Sequence, residues 1–156
     1  MTSRVWFITG TSSGFGRFVT ELALEGGDSV VATLRNPELL NDLKSKHGED
    51  RLLILKVDVR DKQHIENAFT RAVETFGHID VVFNNAGYGG VSEAEGTPEE
   101  LARDIFETNF WGAVHVSQAA IRTFRDVNNP PGGRLLQQSS LVGIGAMPLV
   151  AFYSAR

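Results

Sequence analysis

The stretch Val5-Trp6-Phe7-Ile8-Thr9-Gly10-Thr11-Ser12-Ser13-Gly14-Phe15-Gly16 decides the fold. Its first part is a short continuous apolar run ending at a glycine, the pattern of a strand buried on both faces. Its second part sets glycines at spacing G-x-x-x-G-x-G. From Phe15 the apolar residues Phe15, Phe18, Val19 and Leu22 fall at helical spacing, and Gly26-Gly27 supplies a stop. A strand, a glycine loop and a helix in that order open a βαβ unit. Gly10 permits a tight turn, and glycines at a helix start let backbone N–H groups approach a pyrophosphate at the positive helix end. An ordinary βα turn could use the same three glycines, but its place at the opening of the first βαβ unit favours nucleotide binding. A phosphate-hydrolysing loop would need Gly-Lys-Ser/Thr at its end, whereas Gly16-Arg17-Phe18 stands here. The loop therefore reads as a dinucleotide cradle.

Outward from it, strand and helix keep alternating. Ser29 to Leu34 is a second strand, Asn36-Pro37 provides an N-cap with proline at the first helical position, and Gly48 closes that helix. Leu52 to Val57 is a third strand. Asp61 caps the next helix, whose stripe Ile65, Ala68, Phe69, Ala72, Val73 and Phe76 ends at Gly77. Ile79 to Phe83 is a fourth strand, running into Asn84-Asn85-Ala86-Gly87. Thr97-Pro98-Glu99-Glu100 reads as a capping box with proline at N1. The helix it opens is expected to reach Arg125, about 28 residues or ~42 Å. Asn128 to Gly133 breaks it, and Arg134 to Gln138 is a fifth strand with Ser139-Ser140 at its carboxyl end.

Apolar strands alternating with helices predict a doubly wound parallel sheet covered on both faces, a three-layer α/β/α domain of about five strands spanning residues 1–156. Ligands bind outside the carboxyl ends of such strands, near the switch point. The unusual residues stand there: Gly10 to Gly16, Asp58, Asn84 to Gly87, and Ser139-Ser140. Composition narrows the function classes. The 15 basic and 19 acidic residues are interspersed and sum to −4, which excludes the clustered cations of a nucleic-acid surface. With no cysteine there are no disulfides, thiolate metal sites or thiol nucleophiles. His47, His64, His78 and His115 show no ligand pairing, so no metal is expected. Trp6 and Trp111 read as packing residues. No apolar run approaches the ~18 residues of a membrane span, and the first strand starts too early for a signal peptide. A soluble, cytoplasmic protein is expected.

These motifs together resemble the short-chain dehydrogenase/reductase family. Thr9 to Gly16 matches its TGxxxGxG loop, Asn84 to Gly87 its NNAG motif, and Asp58 the aspartate that faces the adenine ring. Asn109, in Thr108-Asn109-Phe110-Trp111-Gly112, matches the helical active-site asparagine, and Ser140 and Tyr153 match the catalytic serine and tyrosine at the family's separation. The resemblance implies a Rossmann fold of strand order 3-2-1-4-5 and hydride transfer between NAD(P)H and a carbonyl or alcohol. It assigns cofactor contacts to Gly10, Thr11, Ser12, Ser13, Gly14, Phe15, Gly16, Arg35, Asp58, Val59, Asn85, Ala86 and Gly87. It assigns catalysis to Asn109, Ser140 and Tyr153, with Asn109 holding a water in a proton relay. The chemistry is readable beside it: carbonyl reduction needs a proton donor near the oxygen and hydrogen-bond donors for the developing oxyanion.

The chain departs from the family at one point. The family pattern is Tyr-x-x-x-Lys, and the sequence ends Tyr153-Ser154-Ala155-Arg156, one residue before that lysine. In the family the lysine holds the nicotinamide ribose and lowers the tyrosine pKa. An unassisted phenol of pKa ~10 is only about one part in a thousand ionised at pH 7. Arg156 does not substitute, because a guanidinium does not release a proton at accessible pH. Two readings follow: an oxidoreductase whose chain here is cut, or a non-catalytic dinucleotide-binding or interaction module. Either way the 156-residue chain is expected to bind cofactor and to be nearly inactive.

Leu34-Arg35 stands where an NAD-preferring site carries a carboxylate, so NADP(H) is expected over NAD(H). Ser13 weighs the other way, since many NADP-preferring relatives have a basic residue there. Leu141, Val142, Ile144, Met147, Leu149 and Phe152 lie between the two catalytic positions, so the expected substrate is a small apolar ketone or secondary alcohol. The fifth strand is expected at a sheet edge, with Leu135-Leu136 and Gln137-Gln138 unguarded by proline or lysine. Phe106, Phe110 and Val114 are expected as a partly exposed stripe on the long helix. Both features lead to the expectation of a homo-oligomer.

Overall fold

A computed structural model describes residues 3–145 and 147–155. Arg156, considered above beside Tyr153, lies outside the described residues. Five parallel strands, β1 (Val5–Thr9), β2 (Ser29–Leu34), β3 (Leu52–Lys56), β4 (Val81–Asn84) and β5 (Arg134–Gln137), form one sheet in the order β3-β2-β1-β4-β5. The predicted doubly wound α/β/α architecture and its strand order are what the chain adopts. The order reverses between β1 and β4, which pair with Trp6 beside Val81, Phe7 beside Val82 and Ile8 beside Phe83.

Side chains along β1 go alternately to the two faces, so a continuous apolar run is needed to bury both. Phe7 joins Val31, Val57, Ile65, Phe69, Val82 and Val116 on one face. Its ring lies 4.1 Å from that of Phe69, tilted 26°. Ile8 joins Leu24, Val30, Ala32, Leu40, Leu43 and Phe83 on the other. Each such fully buried side chain contributes about 1.5–3 kcal/mol.

α1 (Gly14–Glu25) and the short α2 (Asn41–Lys44) cover the second face. α1 does not bury the stripe its spacing suggested. Phe15, Phe18 and Leu22 are 67%, 62% and 66% exposed, while Gly16, Thr20, Ala23 and Leu24 face the sheet. Asn36 accepts from the Glu38 backbone N–H as an N-cap, but a 3-10 turn (Pro37–Leu40) follows and α2 ends at Lys44, before Gly48. α3 (Lys62–Phe76) is built as expected: the Asp61 carboxylate accepts from the N–H groups of Gln63 and His64, and Gly77 ends the helix.

The long helix is α4 (Glu99–Phe106), a π-helical stretch Glu107–Gly112, α5 (Ala113–Arg122) and a second π stretch Thr123–Val127. The capping box does not form. Thr97 donates its hydroxyl to the Glu93 carbonyl, and Pro98 occupies the cap position rather than N1. Trp6 is half-buried and donates to Asp28, whereas Trp111 is 47% exposed against Phe110 and His115. Burial pushes the Asp28 carboxyl up. The Arg4 backbone N–H, the Trp6 indole and the Arg4 guanidinium outweigh that and hold it below the usual carboxylate range. After β5 come a 3-10 turn (Leu141–Gly143) and α6 (Ala151–Ser154).

Candidate active site

The crevice begins at Thr9, fully buried at the end of β1. Its hydroxyl oxygen accepts from the backbone N–H groups of Asn85 and Ala86, both at 2.9 Å. In return the Asn85 amide donates to the carbonyls of Thr9 at 2.9 Å and Gly10 at 3.3 Å. These bonds lace the β1 and β4 ends together. Gly10 has φ +70°, and a Cβ on it would stand 2.9 Å from the Ala86 Cα. A Cβ on Gly16 would stand 2.3 Å from the Gly10 carbonyl oxygen. Only glycine lets α1 start this close to the loop. Ser13 takes the N-cap position without making a side-chain cap bond, and no acidic residue occupies the first turn. The first-turn N–H groups thus make a positive helix end suited to an anion.

A cleft of about 290 Å³ opens over that helix end. Of the expected cofactor residues, Gly10, Ser12, Ser13, Gly14, Phe15, Arg35, Asp58, Val59, Asn85, Ala86 and Gly87 line it. Thr11 and Gly16 do not. Thr11 is buried with its hydroxyl donating to the Thr33 carbonyl, and Gly16 is packed beneath the loop. Leu34, which the sequence sets at the cofactor-choice position, also lines the cleft, as do Thr33, Val57, Tyr88 and Thr108, which the sequence does not single out as cofactor contacts.

Asn109, Ser140 and Tyr153, far apart in sequence, line a second cavity of about 510 Å³. Phe15, Asn85, Ala86 and Gly87 line both cavities, so the two adjoin. The side chain of Asn109 is hydrogen-bonded at both ends. Its Oδ1 accepts from the Tyr88 N–H at 3.0 Å, and its Nδ2 donates to the Tyr88 carbonyl at 2.7 Å. Below the cavity Asn84 and Ser117 both donate to the Ala113 carbonyl, at 2.9 and 2.7 Å, and Gln137 donates to the Ser117 hydroxyl at 2.6 Å. The signal for Asn84 was present: an amide ending an apolar central strand, 5% exposed. The expected apolar wall is mostly elsewhere. Leu141 lines the cavity, but Leu149 and Phe152 turn to a small gap beside Leu101 and Ile105, and Ile144 is 88% exposed.

Charge gathers at the other end of the first cleft. Arg60 grips the Asp58 carboxylate and reaches Asp104 on α4 at 3.3 Å. The Arg60 hydrogen bonds hold the Asp58 carboxyl below its usual range, and the charge of Arg35 adds to this. Burial, then the negative charge of Asp104, push the Tyr88 phenol up. Among the described residues no group of three or more His, Cys, Asp or Glu is placed to hold a metal. Nor is any helix among them long and apolar enough to cross a membrane.

A glycine-lined helix end at the switch point of a parallel sheet, adjoining a cavity with a serine and a tyrosine, defines a dinucleotide-binding α/β protein. Residues 4–156 match the short chain dehydrogenase family model, and the chain belongs to that family. It is 41% identical over 155 residues to Oxidoreductase BOA17 of Botryotinia fuckeliana, covering 99% of this chain and 56% of that one. It is 32% identical over 155 residues to a 3-ketodihydrosphingosine reductase of Bacteroides thetaiotaomicron, covering 99% of this chain and 54% of that one. The crystal structure of a short-chain dehydrogenase from Streptomyces avermitilis superposes with a TM-score of 0.91 at 33% identity, over 99% of this chain and 55% of that one. The chain thus spans about half the length of the curated relatives it matches.

Proposed function

We propose that this chain carries the cofactor site and the proton-donating groups of an NADP(H)-dependent oxidoreductase that interconverts an apolar ketone and a secondary alcohol. The observation that carries this reading is the junction of the two cavities through Phe15, Asn85, Ala86 and Gly87. The residues fit a dinucleotide: Cβ atoms on Gly10 and Gly16 would collide with the Ala86 backbone and the Gly10 carbonyl and so distort the loop, and the first turn of α1 is left without a side-chain cap. Those N–H groups hold the pyrophosphate. Asp58 would meet the adenine, and Arg35, which also lines the cleft, would pair with a ribose 2′-phosphate where an NAD site carries a carboxylate. When bound, the cofactor supplies or accepts the hydride.

The Ser140 hydroxyl donates to the substrate carbonyl oxygen, and the Tyr153 hydroxyl gives that oxygen its proton as negative charge builds there. Asn109 acts by holding the backbone of Tyr88, which shapes the loop between the cavities. Leu141 and Phe15 supply apolar wall. A keto substrate agrees with the name of the Bacteroides relative, a 3-ketodihydrosphingosine reductase. The site sits in a homo-oligomer, a reading supported by the exposure of Leu136 on the edge strand and of Phe110, Trp111 and Ile121 on the long helix.

Fluorescence titration tests the cofactor assignment. NADPH is expected to bind at least about tenfold more tightly than NADH, as charge-assisted hydrogen bonds of about 1.5–3 kcal/mol imply. Arg35→Ala should erase that difference. Equal affinities in the unaltered chain would overturn the NADP(H) assignment, and binding of neither would overturn the reading. A polypeptide stopping at Arg156 has no lysine four residues after Tyr153, so its hydride transfer should be at background while cofactor affinity persists. Turnover by that polypeptide, lost on Tyr153→Phe, would refute the need for the lysine.

A further inference from the structure

Asp58 presents a conflict inside its own site. A carboxylate offers about four lone-pair directions. Its Oδ1 accepts from the Arg60 backbone N–H and from Arg60 Nε, both at 3.1 Å. Its Oδ2 accepts from the same Nε at 3.1 Å and from Nη2 at 2.6 Å. Three N–H groups of one neighbour, with Nε–H shared between the two oxygens, therefore engage both oxygens of the group that is to receive the adenine amino group.

Arg60 also has a second place to go. Its Nη1 already reaches the Asp104 carboxylate at 3.3 Å, so the guanidinium links the segment after β3 to α4. It can release one oxygen of Asp58 and stay tethered at Asp104. All three side chains are partly exposed, at 39% for Arg60, 26% for Asp58 and 47% for Asp104, which leaves room for that rotation.

We infer that Arg60 is a latch on the adenine end of the cleft, which competes with the exocyclic amino group for Asp58 and so weakens the site's discrimination between an amino-bearing base and a 6-oxo base. This rests on the reading that the cleft holds a dinucleotide with its adenine at Asp58. With the latch present, an amino group forms its bond to Asp58 only as Arg60 bonds are lost, and the net gain is small. A 6-oxo base meets a carboxylate already neutralised by Arg60, so repulsion between the two acceptors is muted. Without the latch, the amino group gains a hydrogen bond to a bare carboxylate, and the 6-oxo base faces an unscreened anion.

The test is a pair of titrations, with NADPH and with its hypoxanthine analogue, on the unaltered chain and on Arg60→Ala. The ratio of the two dissociation constants should lie within a fewfold of one in the unaltered chain and rise at least tenfold in Arg60→Ala. Arg60→Lys, which keeps the charge but loses the fork, should fall between and serves as the reporter if Arg60→Ala fails to fold. In Asp58→Asn the ratio should no longer respond to Arg60→Ala. An unchanged ratio in Arg60→Ala, or equal weakening of both cofactors, would overturn the latch while leaving the cofactor reading intact. Binding of neither cofactor by the unaltered chain would overturn both.

Discussion

At the residue scale, Tyr153 is positioned partly by a residue that has no side chain. A Cβ built on Gly89 would stand 3.2, 3.3 and 3.4 Å from Cδ2, Cγ and Cε2 of the Tyr153 ring. The ring thus packs flat against the backbone that follows the Asn84-Asn85-Ala86-Gly87 run. Ser92 N–H donating to the Leu149 carbonyl at 2.8 Å fastens the same two segments together. Gly89→Ala should therefore displace the phenol by a few tenths of an ångström. In a version of the protein competent for turnover, kcat is expected to fall about tenfold, since misplacement of an acting group by 1 Å can lower the rate ~100-fold. The dissociation constant for NADPH should hold, because Gly89 lies outside the first cleft. Stopped-flow rates beside an equilibrium titration separate the two, and equal losses in both would show that Gly89 supports the fold rather than the tyrosine.

At the scale of elements, the long helix is helical throughout yet changes its winding at the site. The π stretch Glu107–Gly112 carries Asn109, and such stretches concentrate at functional positions because the wider turn re-aims side chains. It lets one amide clamp both backbone groups of Tyr88. Asn109→Ala is expected to destabilise the chain by about 1–3 kcal/mol, the range for two lost hydrogen bonds of about 0.5–1.5 kcal/mol each. It should also speed hydrogen exchange at the Tyr88 amide, and unchanged exchange there would refute the clamp. This winding goes unread in the sequence, whose pattern reads as one uninterrupted helix from Pro98 to Arg125. β1, β2 and β4 were legible because strands buried on both faces must be continuously apolar. α1 misled for the opposite reason: it seats on Leu24 together with Gly16, Thr20 and Ala23, small residues that permit close approach, and turns Phe15, Phe18 and Leu22 outward. The site residues were legible as motifs but not as geometry. Thr11 and Gly16 belong to the glycine loop, yet they serve its packing, and the Arg60 grip on Asp58 has no signature beyond two charges two residues apart.

At the scale of the whole molecule, the covering of the sheet is uneven among the described residues. β1 lies between two strands, whereas β5 pairs only with β4 and stands at the edge, with Leu136 43% exposed. An edge with free N–H and C=O groups, and no proline or lysine within Arg134–Gln137, is a template for another strand. Another exposed apolar surface is the outer side of the long helix, where Phe110, Trp111 and Ile121 are 43%, 47% and 52% exposed and the first two rings meet edge to face at 5.1 Å. A second copy of the chain placed on either surface would remove apolar area from water at about 25 cal/mol per Å². The chain is therefore expected to self-associate at micromolar concentration, and two variants separate the routes. Leu136→Lys puts a charge on the edge strand and should dissolve an assembly made by strand pairing, while leaving one made by helix packing intact. Trp111→Glu should do the reverse, with little effect on folding because the indole is not in the core. Light scattering on the three proteins reads the outcome. A monodisperse monomer of the unaltered chain would refute self-association, and an assembly untouched by either substitution would show that a third surface, such as the outward stripe of Phe15, Phe18 and Leu22 on α1, holds it together.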